Sequence, residues 1–289
     1  MVIIFFMSNL SKVSDLAVEF SKKLIKGKDY KKNSKILNKF VKKDVIEVLT
    51  DNSQSVLNRQ KGLYFSYDIP FDPILLKLHQ DILIREISSS LRQLFKKTGI
   101  KKPQSALIVG LGNDKLTADC FGDKVVNNIM VTRHATQSGL KIDDLCEVSA
   151  FSSSVFGVTG FESFDVIKGI VESVKPQVII LVDTLISSSL KRLGANIQMA
   201  NVGIVPGSGV KNARKELSQN TLNTKVITIG MPFAIYVESI NKNSKYKNMI
   251  VMPREIDEQL KVNSKIIASG INKALNPIFT KKQFETFFI

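Results

Sequence analysis

Short apolar runs alternate with segments of helical periodicity in the part of the chain that follows Pro103. The runs at 105–112, 177–182 and 225–230 are apolar at nearly every position, which is typical of strands buried on both faces of a parallel sheet. Weaker patterns predict a helix near 121–130, a strand at 147–152, a helix at 186–193 and a strand at 197–200. Two apolar sets at helical spacing predict a helix that ends before Pro176 and a long C-terminal helix: Val166, Ile167, Ile170, Val171 and Val174, then Ile256, Leu260, Ile267, Ile271 and Leu275. This alternation predicts an α/β core with a mostly parallel sheet.

The residues ahead of Pro103 have a different pattern. Residues 45–49 and 63–67 are rich in β-branched and aromatic residues and predict two short strands. Residues 74–97 carry leucine and isoleucine at helical spacing and predict one amphipathic helix. We therefore expect an N-terminal part, 16–103, that packs on a core at 104–277, followed by a tail at 278–289.

Composition is that of a globular protein without a disulfide framework. The 289 residues are 44% apolar and 23% charged, enough for a real core in one large or two modest domains. Two cysteines, Cys120 and Cys146, and two histidines predict no zinc cluster and no cofactor. The apolar run at 2–7 is too short for a membrane span or a signal peptide, so we expect a cytoplasmic protein with no membrane partner. Met7 is an alternative start to Met1.

About half of the net charge of +15 lies near the N-terminus. Residues 8–61 hold 13 Lys and Arg against 6 Asp and Glu, and ten of these lysines lie between Lys22 and Lys43. One interpretation is a solvated helical face or a mobile arm, and the other is a patch that binds phosphates. Only Tyr30 and Phe40 are interleaved as aromatic residues, so we expect no direct, specific nucleic-acid partner.

Two glycine-rich loops invite comparison with nucleotide-binding motifs. Gly110-Leu-Gly112 follows a predicted strand, but the third glycine of a dinucleotide loop falls on Lys115. The segment 203–211 does not match a phosphate-binding loop either. This second loop is open to two interpretations, a tight turn or a loop whose N–H groups line a site.

Two aspartates follow predicted buried strands. Asp119 comes shortly after the first strand and Asp183 ends the second, so both are expected at the carboxyl edge of the sheet, where sites form. Asp119 has a competing role as a helix N-cap, whereas burial of Asp183 requires a partner or a function. Two neighbouring carboxyls share a proton, so one can accept a proton from water while the other donates one. A triad with His134 lacks its nucleophile motif, and Cys120 is expected to be a packing residue rather than a nucleophile.

At these positions the sequence resembles the germination protease family, the endopeptidases that degrade small acid-soluble spore proteins. The resemblance covers about residues 105–277 and is carried by several short segments in order: 106–113, 131–134, 169–176, 203–210 and 253–257, with a weaker match at 14–19. It implies an atypical aspartic peptidase with Asp119 and Asp183 as the catalytic pair. It implies a fold like that of the hydrogenase-maturation proteases, one α/β domain with helices on both faces.

The resemblance carries further expectations about processing, assembly and substrate contacts. Family members lose a short N-terminal segment, so 1–15 is the expected pro-segment, cut between Asp15 and Leu16, and 16–289 is the peptidase domain. A homotetramer in the spore core is expected. Residues proposed to line the substrate or its oxyanion are Gly112, Asn113, Gly203, Pro206, Gly207, Ser208 and Gly209.

The sequence departs from the family motifs beside both aspartates. Residues 117–122 differ on both sides of Asp119, the family's arginine after the second aspartate is replaced by Ser188, and a histidine of the glycine loop is replaced by Val205. These changes leave open an alternative function, an inactive or repurposed relative that serves as a binding or assembly module.

Overall fold

A mixed sheet of nine strands organises the computed structural model, which describes residues 14–19, 28–50, 60–139, 142–208, 214–279 and 283. The strands within these residues are β1 (Tyr30–Ile36), β2 (Lys42–Val48), β3 (Gly62–Asp68), β4 (Ser105–Gly110), β5 (Glu147–Ser152), β6 (Val178–Ser187), β7 (Asn196–Ala200), β8 (Lys225–Tyr236) and β9 (Ile250–Val251). Their order across the sheet is β1-β2-β3-β7-β8-β6-β4-β5, and β9 pairs with the end of β8.

Parallel pairing is confined to one half of the sheet. Strands β5, β4, β6 and β8 pair in parallel, as the apolar runs of the core predicted. Strands β1, β2, β3 and β7 extend this half by antiparallel pairing, so the sheet as a whole is mixed. The N-terminal part therefore joins the core as added strands of the same sheet.

Helices cover both faces of the sheet, which confirms the expected α/β class. The helices of the described residues are α1 (Pro73–Leu78), α2 (Gln80–Lys97), α3 (Phe121–Val126), α4 (Arg133–Gln137), α5 (Phe156–Thr159), α6 (Ser163–Val174), α7 (Gln219–Leu222), α8 (Val237–Ile240) and α9 (Ile256–Leu275). One face packs against α2, α3 and α9, and the other against α6 and α7. Residues Val178–Val182 of β6 are fully buried between the two layers, which explains their unbroken apolar run.

No helix of the described residues has the length and apolar character needed to cross a membrane.

The largest differences from the sequence prediction concern three elements. The helix predicted at 74–97 is broken at His79, whose backbone leaves the helical region. The helix predicted at 186–193 is wrong: β6 continues to Ser187 and a 3-10 turn follows at Leu190–Arg192, because β6 keeps pairing with β8 beyond the end of β4. The strand predicted at 225–230 extends to Tyr236 for the same reason.

Most of the described part of the lysine cluster, residues 30–36 and 42–43, is sheet, so a helical face or a mobile arm is wrong for these residues. Lys31, Lys32 and Lys35 lie on the edge strand β1, where charged side chains discourage pairing with another chain. Lys43 is buried, and its Nζ lies 3.0 Å from a carboxylate oxygen of Glu86. Residues 22–27 of the cluster lie outside the described residues.

A buried side chain fastens the end of α9 to Cys146, the residue before β5. Asn276 is completely buried; its Oδ1 accepts a hydrogen bond from the Cys146 N–H at 2.7 Å, and its Nδ2 donates to the Cys146 carbonyl at 3.4 Å.

Asn276→Ala is expected to lower the free energy of unfolding by about 1–3 kcal/mol, because it leaves a buried backbone N–H without its acceptor. Urea unfolding followed by circular dichroism measures the change. Lys273→Ala, an exposed substitution on the same helix, is the control and should shift stability by less than about 0.5 kcal/mol. Equal effects of the two substitutions would contradict the fastening role.

Candidate active site

A cavity of about 1010 Å³ opens where β4 ends and β6 continues. Strand β4 pairs with β6 as far as Val182, and the chain then turns away through Gly112. Asp183 is the first residue of β6 beyond this pairing, so its side chain faces the crevice that β4 leaves open. Asp119 lines the same cavity. The structure therefore brings together the two aspartates that the sequence placed at the carboxyl edge of the sheet.

Asp183 is a buried carboxyl. Its exposed fraction is 9%, and its Oδ1 accepts a hydrogen bond from the Thr184 N–H at 2.9 Å. Burial raises the pKa of Asp183 well above its ordinary value, and the charges of Asp119 and Asp15 raise it further. Removal from water disfavours the ionised form, so Asp183 holds its proton over a range in which an exposed aspartate has lost it.

Asp119 is held by the loop that follows β4. It closes a 3-10 turn at Thr117–Asp119, and its Oδ2 accepts a hydrogen bond from the Asn113 N–H at 2.8 Å. Burial raises the pKa of Asp119, and the Asn113 hydrogen bond opposes that rise. The N-cap alternative is wrong, because no side chain caps α3 and the Asp119 carboxylate points to the loop instead.

Gly112 makes this position of Asp119 possible. Its φ of +101° lies where residues with a side chain are strained. A Cβ atom at Gly112 would lie 2.0 Å from the Asp119 carbonyl oxygen and 2.9 Å from its Oδ1. The bare backbone therefore lets the 3-10 turn approach the end of β4.

The paired carboxyls are suited to acid–base chemistry on a neutral substrate. Each has a raised pKa, and ionisation of Asp119 makes ionisation of Asp183 harder. One of the two aspartates can therefore keep its proton while the other is ionised. Such a pair can accept a proton from water and donate one to a leaving nitrogen.

Residues 14–19 lie against the sheet beside these aspartates. The Asp15 N–H donates to the Ile186 carbonyl at 2.8 Å, and the Ile186 N–H donates to Oδ2 of Asp15 at 2.8 Å. Leu16 is completely buried in a cluster that includes Leu185 and Tyr64. The peptide bond of the expected cut, between Asp15 and Leu16, therefore belongs to a segment whose Asp15 lines the cavity. Residues 1–13 lie outside the described residues.

Glu19 anchors the end of this segment and was missed in the sequence. Its carboxylate accepts hydrogen bonds from the hydroxyl of Ser187 at 2.8 Å and from the N–H of Ser188 at 2.8 Å. Arg192 lies 3.6 Å from the same carboxylate. Glu19 therefore has a cationic partner in Arg192, although Ser188 occupies the position of the arginine in the family motif. The resemblance of residues 14–19 to the family was the sequence signal that could have pointed to Glu19.

The glycine-rich loop lines the cavity, but some of its N–H groups already donate to protein acceptors and are not available to a ligand. Gly203, Pro206, Gly207 and Ser208 contribute to the lining, as do Gly112 and Asn113; Gly209 lies outside the described residues. The N–H of Gly203 donates to Oε1 of Gln60 at 3.1 Å, and that of Ser208 donates to the Val205 carbonyl. The N–H of Asn113 is held by Asp119. These three N–H groups are committed to protein acceptors.

The other candidate nucleophiles are poorly placed. Burial raises the pKa of the Cys120 thiol, which disfavours the reactive thiolate. Its Sγ contacts the Thr117 carbonyl at 3.4 Å, as a packed cysteine does. His134 lies on α4, outside the described lining of the cavity.

Comparison with known proteins identifies one family. The model of a family described as Germination protease matches residues 12–246. The Germination protease of Caldanaerobacter subterraneus subsp. tengcongensis is 32% identical, with 82% of this chain and 86% of the relative covered. That of Clostridium acetobutylicum is 33% identical over 80% of this chain and 84% of the relative. That of Bacillus cytotoxicus is 36% identical over 78% of this chain and 62% of the relative.

Among solved structures, a NiFe hydrogenase maturation protease from Thermococcus kodakarensis aligns with a TM-score of 0.36 and 15% identity, over 65% of this chain and 99% of that chain. The family match extends over most of the chain, and relatives above 30% identity cover about four-fifths of it. The chain therefore belongs to the germination protease family and is a peptidase of that family.

Proposed function

We propose that this chain is an endopeptidase that cleaves small acid-soluble, DNA-binding spore proteins during germination, with Asp119 and Asp183 as its acid–base pair. The observation that carries the proposal is that one cavity is lined by a buried carboxyl, Asp183, and a partly buried one, Asp119, both with raised pKa values. Water attacks the peptide carbonyl after giving a proton to the ionised carboxylate. The protonated carboxyl then supplies the proton that the leaving amine needs.

The same proposal extends to processing, assembly and location. A pro-segment of residues 1–15 is removed between Asp15 and Leu16, and the product is the peptidase domain 16–289, which assembles as a homotetramer in the spore core. The contacts of Asp15 with Ile186 support the cut, because they hold this peptide bond at the cavity that contains the aspartates.

Cleavage of a purified small acid-soluble spore protein is the direct test, with the products identified by mass spectrometry. Internal cleavage at a few defined bonds is expected. Cys120→Ala and His134→Ala should each keep the rate within about threefold of wild type, because neither group takes part in the aspartate mechanism. Loss of cleavage in Cys120→Ala, with the fold intact, would indicate thiol chemistry instead.

The altered residues beside both aspartates favour a second candidate function, a relative that binds but does not cleave. This alternative predicts that the folded wild-type protein leaves the spore protein intact across a range of pH. Retention of the intact protein on an affinity column carrying the chain would then identify a binding module.

A further inference from the structure

The side-chain amide of Gln198 spans the backbone on both sides of Leu16. Its Nε2 donates a hydrogen bond to the Asp15 carbonyl oxygen at 2.9 Å. Its Oε1 accepts a hydrogen bond from the Ala17 N–H at 2.6 Å. The donor is matched to a carbonyl and the acceptor to an N–H, so the orientation of the amide is fixed by its partners.

Gln198 rises from the same face of the sheet as Asp183. Asp183 pairs with Gly230 from β6, and Gln198 pairs with Gly230 from the opposite side, on β7. Paired residues on neighbouring strands project to the same face, so the two side chains flank β8 at about two strand spacings, roughly 9–10 Å between backbones. Asp15, Asp183 and Gln198 all line the one cavity. The Asp15 carbonyl is therefore held by an amide that lines the same cavity as Asp183.

We infer that Gln198 is a third catalytic residue, which holds a substrate backbone across the bond to be cleaved and polarises the carbonyl before that bond. The inference rests on the proposed function. It treats residues 14–19 as a segment seated as a substrate is seated, with Asp15 before the bond and Leu16 after it. No N–H of the glycine loop is needed for this role, and those of Asn113, Gly203 and Ser208 are already committed.

The chemical step assigns a place to each atom. The oxygen of water bonds to the carbonyl carbon of Asp15 while one of its protons passes to the ionised aspartate of the pair. The electron pair of the C=O bond moves to the carbonyl oxygen, where the Nε2–H of Gln198 stabilises the negative charge. When the carbonyl reforms, the C–N bond breaks, its electron pair stays on the Leu16 nitrogen, and that nitrogen takes a proton from the carboxyl pair.

The kinetic test uses the full chain and a synthetic peptide of residues 9–22 as substrate. Gln198→Met keeps the length of the side chain and removes its donor and acceptor, whereas Gln198→Glu keeps the acceptor and loses the donor. Both are expected to lower kcat by about 100- to 1000-fold, as loss of an oxyanion donor does, with a much smaller change in KM. Gln93→Glu, an exposed substitution on α2, is the matched control and should match wild type. A kcat within threefold of wild type for Gln198→Met overturns the inference, even if Gln198→Glu is slow.

Hydrogen exchange separates this inference from the proposed function. The Asp183→Asn chain keeps residues 14–19 uncut, and the Ala17 amide should exchange at least tenfold faster when Gln198→Met is added. Unchanged protection of Ala17 shows that Gln198 does not hold the segment and overturns the inference. If wild type and Asp183→Asn are equally inert toward peptide and spore protein, the proposed function fails, and the exchange result still decides whether Gln198 holds the backbone.

Discussion

Asp183→Asn is expected to abolish peptide cleavage and at the same time to give a protein that unfolds at a higher temperature than wild type. Loss of general acid–base catalysis by one group lowers rates by about 100- to 10,000-fold. Asn has nearly the same shape as Asp and keeps the acceptor for the Thr184 N–H, so the fold has no reason to change. Asp119→Asn should lose activity to a similar extent.

The gain in stability follows from the direction of the pKa shift. The pKa of Asp183 is raised in the folded state, so the stability that its protonated form contributes is complete at low pH and is lost as pH rises through the folded pKa. Asn cannot ionise and keeps that stability. The difference in melting temperature between Asp183→Asn and wild type should therefore be near zero around pH 4 and grow to a few degrees toward neutral pH, since 1 kcal/mol corresponds to about 2–4 °C in larger domains.

Calorimetry from pH 4 to pH 8, alongside the cleavage assay, measures both halves of this prediction. Asp143→Asn, at an exposed aspartate, is the control and should change neither activity nor the slope of stability with pH. Full activity of both Asp183→Asn and Asp119→Asn would remove the aspartate mechanism. A lower melting temperature for Asp183→Asn at neutral pH would show that the buried carboxyl is held by a partner that favours its charge.

Gly112→Ala is expected to lose cleavage by at least about 100-fold and to destabilise the fold. The positive φ alone costs about 1–3 kcal/mol for a residue with a side chain. The added Cβ would also meet the Asp119 carbonyl oxygen at 2.0 Å, so the 3-10 turn must move away. Displacing a catalytic group by about 1 Å is enough for a loss of this size.

Gly99→Ala separates the cost of a positive φ from the effect of the close contact with Asp119. Gly99 has a similar φ of +89°, but no atom lies within 4 Å of the position its Cβ would take. Gly99→Ala should therefore show the conformational cost in urea unfolding and keep full activity. If Gly112→Ala lost no more activity than Gly99→Ala, the close approach of Asp119 to Gly112 would not matter for the chemistry.

The sequence predicted the parallel half of the fold well because its strands are buried on both faces. Val178–Val182 are apolar without interruption, and such a run has few alternatives to a central strand. The edge strand β1 was missed because six of its seven residues are at least partly exposed, so its composition is that of a charged surface. The false helix at 186–193 arose where β6 leaves β4 and continues beside β8 alone, a feature of pairing that local periodicity does not report.

For the site, the sequence could place the aspartates but not the groups that act with them. Asp119 and Asp183 follow strands whose ends meet at one edge, which is a general property of parallel sheets. Gln198 occupies an ordinary position in a short strand, and its contact with residues 15–17 spans more than 180 positions. Only the order of the strands brings it beside the first residues of the chain.

The order of the strands in the sheet also determines when the cavity can form while the chain is being synthesised. Strand β3 can pair with the core strands only after β7 has been made, because β7 is its partner in the sheet. Residues 14–19 form hydrogen bonds with both β6 and β7. Contacts so distant in sequence form slowly and late in folding. Residues 14–19 are made before these strands, so they can take their place beside Asp183 only after β6 and β7 have been made.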